Sequence, residues 1–367
     1  MIEGFLHADH VGSLLRPRRL KDAARARQAR EIDEAAFNAT LDDCIREAVR
    51  LQEDAGLRSI TDGEFRRGSW FAGFIEAVEG IGVKPALFTF KGDDGKPVDY
   101  RTASVEGKLR RRRGIATHEF AFLKGVAKGR PKITMPAPSL VHFFRGDQSV
   151  NRDAYPNLDD FWADLVSVYR DEARDLGALG LQFLQLDEVA AAMLCDPAMR
   201  AQAIALGLEP DALLDRYIEA INAVAAAAPA TMKIGVHVCR GNYKGHWMAE
   251  GGYEAVAERF FRRTKADVFF LEYDSERAGD FQPLRFMPKD KIAVLGLVTT
   301  KTPENDDRDT LLRRIEDAAK YMPIDNICLS PQCGFSSGAR GNPITVEDTR
   351  RKLDLVHEVA GEVWGDR

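Results

Sequence analysis

The sequence has few cysteines, no excess of basic residues and no long apolar run. Its five cysteines are odd in number and widely spaced, unlike a disulfide framework. They fit a reducing cytoplasm in which thiols stay free or bind metal, so we expect a cytoplasmic protein. Lys and Arg total 52 against 57 Asp and Glu, which argues against a nucleic-acid partner. No run of about 18 apolar residues predicts a membrane span, and the N-terminus lacks the basic start and apolar core of a secretory signal.

One local basic run, "KLRRRRG" (Lys108 to Gly114), stands out from this balance. It fits a solvated turn or helix face. It also fits a contact for a phosphate or carboxylate tail.

Short apolar runs alternate with longer helical patterns along the chain. Near-continuous apolar runs are typical of parallel strands that are covered on both faces. The candidate strands are Ala8–Ser13, Leu57–Glu64, Lys132–Pro138, Leu181–Glu188, Lys233–Cys239, Asp267–Glu272, Lys291–Val298 and Asp325–Cys333. Eight β/α units predict a TIM (β/α)8 barrel. A doubly wound sheet is the alternative, but no Gly-rich phosphate loop follows the first run.

The segment from about Ile81 to Arg130, after the second strand, interrupts this alternation. It contains "FTFKGDDGKPVDYRT", in which "DDG" lies between β-prone runs and predicts a hairpin turn. We interpret the segment as an insertion in one barrel that spans residues 1–367, not as a separate domain.

Polar residues end most of the predicted strands. The carboxyl ends of barrel strands carry the functional site. The residues at these ends are Ser13, Asp62, Glu64, Asp187, Glu188, His237, Cys239, Glu272 and Cys333.

The stretch "KIGVHVCRGNY" places His237 and Cys239 two residues apart, on one side of a strand. Alone, the pair fits two core residues, because a buried Cys usually behaves as a small hydrophobe. Glu272 could lie in solvent just beyond its strand, and Cys333 could be a small packed residue. Together, however, the four residues offer one nitrogen, two sulfurs and one oxygen, which suits Zn²⁺. Ligands from three separate strands converge only after folding, which favours a catalytic site.

The motifs "HVCRGN", "FLEYDSERAGDF" and "LSPQCGF" resemble the zinc motifs of the cobalamin-independent methionine synthase family. The segments "HVGSLLRP", "TDGEFRR" and "LQLDE" also match its catalytic barrel. The resemblance runs from about His7 to Trp364, and the length corresponds to the catalytic barrel alone, as in the short members of the family.

The resemblance implies a role for each matching residue. The zinc ligands would be His237, Cys239, Glu272 and Cys333. Homocysteine would be held by Glu64 and Asp187 at its ammonium group and by Ser13 at its carboxylate. The methyl donor would be a methyl-folate or a methyl-corrinoid, and a methyl-carrier protein is a further candidate partner.

Chemistry supports this assignment, because the thiolate is the nucleophile and a bound metal deprotonates a thiol. Sulfur-rich ligation favours alkyl transfer to a thiol over hydrolysis, which usually uses histidine and carboxylate ligands. The protein is therefore expected to be a zinc-dependent thiol methyltransferase that forms methionine.

The sequence departs from the family after the seventh strand. The long enzymes carry an Asp and a His there, and the His is thought to help protonate the departing donor. Here "VTTKTP" puts Thr299 and Lys301 in those places, so we predict Lys301 as a catalytic proton donor or anion contact. Trp70 and Trp247 are candidates for an aromatic platform, although each also fits core or lid packing.

Two other functions remain open at this point. One is alkyl transfer to another thiol, like that of the epoxyalkane:coenzyme M transferases. Glu64 and Asp187 argue against it, because a sulfonate thiol has no ammonium to pair with them. The other is a non-catalytic, zinc-stabilised barrel, which would not require carboxylates on the same rim.

Overall fold

We describe the fold from a computed structural model, which describes residues 7–88, 90–91, 97–243 and 245–365. The strands are β1 (Ser59–Ile60), β2 (Val78–Pro85), β3 (Phe90–Lys91), β4 (Pro97–Val98), β5 (Arg101–Arg111), β6 (Arg130–Pro131), β7 (Ile133–Pro136), β8 (Phe183–Glu188), β9 (Lys233–Val238), β10 (Val268–Glu272), β11 (Ile292–Val298) and β12 (Ile327–Pro331). The α-helices are α1 (Arg18–Gln28), α2 (Glu34–Asp54), α3 (Ala72–Ala77), α4 (Thr117–Val126), α5 (Leu140–Phe143), α6 (Leu158–Ala178), α7 (Ala190–Met193), α8 (Pro197–Ala205), α9 (Pro210–Ala225), α10 (Glu254–Arg263), α11 (Arg308–Ala319) and α12 (Val346–Trp364). Short 3-10 helices lie at Gly146–Ser149, Glu276–Ala278, Gln282–Phe286 and Ile324–Asn326.

The centre of the fold is a parallel sheet in the order β12-β11-β10-β9-β8-β7. β1 pairs in parallel with β6, which is separated from β7 by one residue. A parallel bridge joins Ala8 to Leu329 of β12, and the Leu14 N–H donates to the Gly63 carbonyl at 3.1 Å. These contacts place eight chain segments in cyclic order, so the predicted TIM barrel is confirmed.

The first two predicted strands are shorter than expected. Ala8–Ser13 contributes only the bridge at Ala8, and Leu57–Glu64 contributes only β1. Gly12 and Gly63 have φ angles of +146° and +70°, which an extended strand does not adopt. The seam of the barrel is therefore joined by isolated contacts within the described residues.

The direction of each side chain follows the alternation along the strands. Val268 and Phe270 belong to a small apolar cluster inside the barrel, whereas Phe269 and Leu271 pack in the larger cluster beneath the helices. Because side chains two residues apart share a face, Glu272 points into the barrel like Phe270. The barrel interior thus leads from an apolar floor to polar groups at the carboxyl ends of the strands.

An antiparallel ribbon lies between β1 and β6, in the predicted insertion. β2 pairs with β5, and β3 pairs with β4. The predicted "DDG" turn lies outside the described residues. Much of the basic run lies at the end of β5 and not on a helix, and carboxylates neutralise it: Arg110 contacts Glu79 at 2.5 Å, and Arg111 contacts Glu172 at 2.6 Å.

The last helix, α12, begins with a side-chain cap at Thr345. The Thr345 side chain accepts from the Asp348 N–H, and the Asp348 carboxylate accepts from the Thr345 N–H, which completes a capping box. Among the described helices, none is both long and apolar enough to cross a membrane.

Candidate metal centre and substrate cavity

The carboxyl ends of the strands surround a cavity of about 780 Å³, including its open mouth. Cavities of this size hold small molecules. All the predicted metal and substrate residues except Glu272 line it, namely Ser13, Glu64, Asp187, His237, Cys239 and Cys333.

His237, Cys239 and Cys333 form a compact group on the wall of this cavity. His237 lies in β9, Cys239 follows that strand, and Cys333 follows β12. Their candidate ligand atoms all lie within 4.8 Å of one another, and all three residues are buried. No nitrogen or oxygen atom in the described part of the chain pairs with a ring nitrogen of His237, whose polar neighbour is the Cys333 thiol. Buried polar atoms are normally paired, so this imidazole is available for a ligand such as a metal ion.

The two thiols and the imidazole perturb one another. The hydrogen bond from Cys239 lowers the pKa of Cys333 well below its ordinary value, and the same bond raises the pKa of Cys239. Burial alone would lower the pKa of His237, but the neighbouring Cys333 and Asp187 raise it. These neighbours therefore favour the ionised form of Cys333.

Glu272 lies near this group but is not one of the three residues in it. Its Oε2 accepts from the Arg240 N–H at 2.6 Å, and its Oε1 accepts from the Arg277 guanidinium at 3.0 Å. Burial opposes ionisation, but the cations of Lys301, Arg240 and Arg277 lower the pKa of Glu272 to about 2. The surrounding cations thus favour the ionised form of this buried carboxylate, and its assignment as a metal ligand stays a prediction.

A metal ion fits these residues. Imidazole nitrogen, two thiolates and a carboxylate oxygen are the donors that Zn²⁺ takes in proteins. The imidazole of His237 and the closeness of its two cysteine neighbours are what such a site requires.

Asp187 and Glu64 face the same cavity from β8 and from the turn after β1. The Gln185 amide donates to Asp187 Oδ1 at 2.8 Å, and the Thr134 hydroxyl donates to Glu64 Oε1 at 2.8 Å. Burial raises the pKa of Asp187 to about 7 and raises that of Glu64 above its ordinary value. Among the described residues, no Lys or Arg forms an ion pair with Asp187, and Arg67 approaches Glu64 to 4.0 Å, so a bound ammonium group would stabilise these buried carboxylates.

The backbone at Glu64 is strained. Its φ is +61°, a left-handed conformation that is uncommon outside glycine. The Asp62 carboxylate accepts from the Glu64 N–H at 2.8 Å, and the Arg16 guanidinium donates to the Glu64 carbonyl at 2.8 Å. These bonds fix a conformation that turns the carboxylate into the cavity.

Ser13 lies where the first chain segment meets the loop after β12. Its carbonyl accepts from the Phe335 N–H at 2.9 Å, and its hydroxyl accepts from the Ser336 N–H at 3.3 Å. A side chain at Gly334 would come within 2.0 Å of the Ser13 hydroxyl, so only glycine allows this approach. Ser13 is thus held next to the segment that carries Cys333, and its role as a substrate contact stays a prediction.

Lys301 lies in the loop after β11, next to the carboxylates behind the metal group. Its ammonium is 2.9 Å from Asp274 Oδ2 and 3.6 Å from Glu272 Oε1, and it does not line the cavity. Its predicted catalytic role therefore stays a prediction, and its neighbours favour an electrostatic one.

Sequence reasoning missed most of one wall of the cavity. Trp70 lies on it, as predicted, whereas Trp247 is not among the lining residues. The other aromatic lining residues are Phe71, Phe90, Tyr100, Phe144 and Tyr243. Phe90 and Tyr100 come from the insertion. The sequence there predicts strands but does not indicate which aromatic side chains point toward the cavity. Asn242 was also missed; its amide donates to the Gly334 carbonyl at 3.0 Å.

The comparisons with known proteins agree with this arrangement. Residues 6–362 match the family model of the cobalamin-independent synthase catalytic domain. The chain is 36% identical over 367 residues to the Bacillus subtilis protein YxjG, covering 97% of this chain and 94% of that protein.

Solved structures resemble it over almost the whole chain. A protein from Listeria monocytogenes, whose structure is described as that of a proposed vitamin-B12-independent methionine synthase, has a TM-score of 0.78 and 30% identity over 100% of this chain and 99% of that one. A B12-independent methionine synthase from Shewanella, in complex with selenomethionine, has a TM-score of 0.74 and 19% identity over 98% of this chain and 97% of that one. The family match, the relative in Bacillus and the shared barrel together show that the chain belongs to the cobalamin-independent methionine synthase family, as a catalytic domain.

Proposed function

We propose that the protein is a zinc-dependent methyltransferase that transfers a methyl group to the thiol of homocysteine and forms methionine. One observation carries the proposal: three side chains that could hold a metal ion and two buried carboxylates face one cavity at the carboxyl end of the barrel. The family to which the chain belongs supports the same activity. We also propose that residues 1–367 act as one catalytic barrel with the ribbon as its insertion.

The metal would be held by His237, Cys239 and Cys333, with Glu272 as the proposed fourth ligand. Bound zinc supplies thiol activation, because coordination keeps a sulfur deprotonated at neutral pH. Arg240 and Arg277 fix the Glu272 carboxylate in place through the contacts described above. Groups that orient metal ligands in this way normally affect metal affinity strongly.

The amino-acid part of homocysteine would be bound by Asp187, Glu64 and Ser13. Both carboxylates are buried, so each gains by pairing with an ammonium group that replaces lost solvent. Ser13 would bind the carboxylate of the substrate through its hydroxyl. Binding at these points places the thiol toward Cys239 and Cys333, and this orientation reduces the entropic barrier to attack.

The competing function is alkyl transfer to a sulfonate thiol such as coenzyme M. A sulfonate is an anion with no ammonium group, and the described lining offers it two carboxylates instead of a cation. Like charges brought together in a buried site are destabilising. The lining therefore favours an amino-acid thiol.

A product assay tests the proposal. The zinc-loaded protein is incubated with homocysteine or coenzyme M and, in turn, methyl-folate, methyl-corrinoid and an epoxide. Methionine detected by mass spectrometry supports the proposal. Alkylated coenzyme M as the only product would overturn it in favour of the competing function.

A further inference from the structure

Glu64, a proposed contact for the substrate ammonium, has a buried arginine as its neighbour. The side chain of Arg67 is 5% exposed, and its Nη1 lies 4.0 Å from Glu64 Oε2. A cation in this place competes with the ammonium group of a substrate for the same carboxylate. Recognition of an amino group by Glu64 therefore requires that Arg67 be held by another partner.

That partner is Glu119. It lies in the first turn of α4, just beyond the inserted ribbon, and its side chain is 1% exposed. Its carboxylate accepts from Arg67 Nε at 2.9 Å and from Arg67 Nη2 at 2.5 Å, the bidentate geometry that makes arginine–carboxylate pairs strong. Electrostatic attraction falls with distance, so Glu119 outweighs Glu64 as the partner of Arg67.

Thr134 of β7 connects this ion pair to Glu64. Its carbonyl accepts from Arg67 Nη2 at 2.7 Å, and its hydroxyl accepts from Arg67 Nη1 at 3.1 Å. Because a guanidinium only donates, the hydrogen of the hydroxyl is directed to Glu64 Oε1, 2.8 Å away. Each guanidinium nitrogen thus has an acceptor other than Glu64, and Glu64 receives a neutral donor in place of a cation.

The second proposed contact for the ammonium is held in a similar way. Gln185 of β8 is the register partner of Thr134, and its amide donates to Asp187 Oδ1 at 2.8 Å. Neutral donors on neighbouring strands therefore orient both carboxylates without neutralising their charge.

We propose that the ion pair of Arg67 with Glu119 determines the preference of this site for thiols that carry an amino group. The inference rests on the proposed function, since it concerns how the same site recognises homocysteine. Glu119 keeps Arg67 from pairing with Glu64, and Thr134 transmits this arrangement to the Glu64 carboxylate. Arg67 and Glu119 are positioning residues, which act on the substrate through Glu64.

Calorimetry on the zinc-loaded full-length protein tests this with homocysteine and with 4-mercaptobutyrate, which lacks the amino group. Glu119→Gln keeps the shape of the side chain but removes its charge. Glu64 then becomes the only carboxylate of the described chain within 4.0 Å of the Arg67 guanidinium. We expect the preference for homocysteine over 4-mercaptobutyrate to fall by about tenfold or more, because a buried cation competes with the ammonium. An unchanged preference in folded Glu119→Gln would overturn the proposal.

A second substitution separates this role from a structural one. Adding Arg67→Met to Glu119→Gln removes the competing cation, so the double variant should recover most of the lost preference. A double variant with no more preference than the single variant would show that the pair only supports the fold, and would contradict the proposal.

Glu172→Gln is the matched control for these substitutions. Glu172 is also buried and pairs with Arg111 at 2.6 Å, but it does not line the cavity. The same change of charge there should leave the preference for homocysteine as it is in the parent. A loss equal to that in Glu119→Gln would mean that the effect is not specific to the pair beside Glu64.

Thr134→Val provides the test if Glu119→Gln does not fold. It leaves the ion pair in place but removes the hydroxyl that donates to Glu64, so the preference for homocysteine should again fall. The same preference in Thr134→Val and in the parent would overturn the proposal.

The parent protein distinguishes failure of this inference from failure of the proposed function. If the parent prefers homocysteine and every variant prefers it equally, the proposed function stands and the inference fails. If the parent binds both thiols equally, the site does not recognise an amino group, and the inference fails even where methionine is formed. If the parent does not bind homocysteine, both fail.

Discussion

Asp187 of β8 and His237 of β9 are register partners in the barrel sheet. Both side chains line the cavity, so a proposed contact for the substrate ammonium and a proposed metal ligand lie side by side on neighbouring strands. An amino-acid thiol that pairs with Asp187 is thereby directed toward the metal group. This adjacency connects substrate choice with thiol activation.

Zinc content should depend on the two cysteines of the metal group. Cys239→Ser and Cys333→Ser each replace a thiolate with a hydroxyl, a poor zinc ligand, and should lose most of the bound zinc. Cys44→Ser is the matched control, because Cys44 is buried against α1, where the Arg19 side chain donates to its sulfur at 3.1 Å. Metal analysis by mass spectrometry checks this, and equal zinc in Cys239→Ser and the parent would rule out the assignment.

Asp187→Asn should weaken the binding of homocysteine by roughly 10- to 100-fold, the worth of one charged hydrogen bond. The substitution keeps the size of the side chain but removes the charge that pairs with ammonium. 4-Mercaptobutyrate, which lacks the amino group, should bind the variant and the parent equally. Calorimetry with both thiols separates loss of the ammonium contact from a general loss of binding. An equal loss of affinity for both thiols would mean that Asp187 does not recognise the amino group.

Lys301→Met should weaken zinc binding by about 10-fold or more, because it removes an ion pair at 3.6 Å that helps to fix the carboxylate of Glu272, a proposed zinc ligand. Lys301→Arg keeps the charge and should retain most of the affinity. Competition with a chelator measures both variants. Unchanged zinc affinity with a reduced kcat would instead support Lys301 as a proton donor.

Glu188→Gln should change how stability depends on pH. Burial raises the pKa of Glu188 to about 7, although the Ser139 hydroxyl and the Ala190 and Ala191 N–H groups donate to it. An acid with a raised folded-state pKa contributes its full stability below its unfolded pKa of about 4.5 and loses it as the pH rises through 7.

The neutral amide of Glu188→Gln does not ionise. Between pH 5 and pH 8, the free energy of unfolding of the variant should therefore rise relative to that of the parent by as much as about 3 kcal/mol. Urea denaturation at the two pH values gives the free energies of unfolding. Parallel pH profiles for variant and parent would contradict the raised pKa.

Much of the fold was predictable because buried parallel strands leave continuous apolar runs. The runs that became β7 to β12 were confirmed to within a few residues. The runs at Ala8 and Leu57 were overestimated, since left-handed backbone at Gly12 and Gly63 ends the strand conformation and apolar content does not record φ.

The residues of the cavity were predictable to a lesser degree. Strand ends identified His237, Cys239 and Cys333, which the structure brings together. The positions of the strand ends did not indicate that three cations surround the Glu272 carboxylate. Arg240, Arg277 and Lys301 reach it from three separate segments of the chain. The position of Tyr100 depends on how the inserted ribbon packs on the barrel. The periodicity of apolar residues in the sequence does not predict this packing.

The most direct test of thiol activation is the metal's sulfur coordination, measured by X-ray absorption on the zinc-loaded protein before and after homocysteine is added. The account predicts one additional sulfur neighbour at about 2.3 Å from zinc, together with release of one proton. An unchanged number of sulfur neighbours at saturating homocysteine would contradict it and would indicate a structural metal.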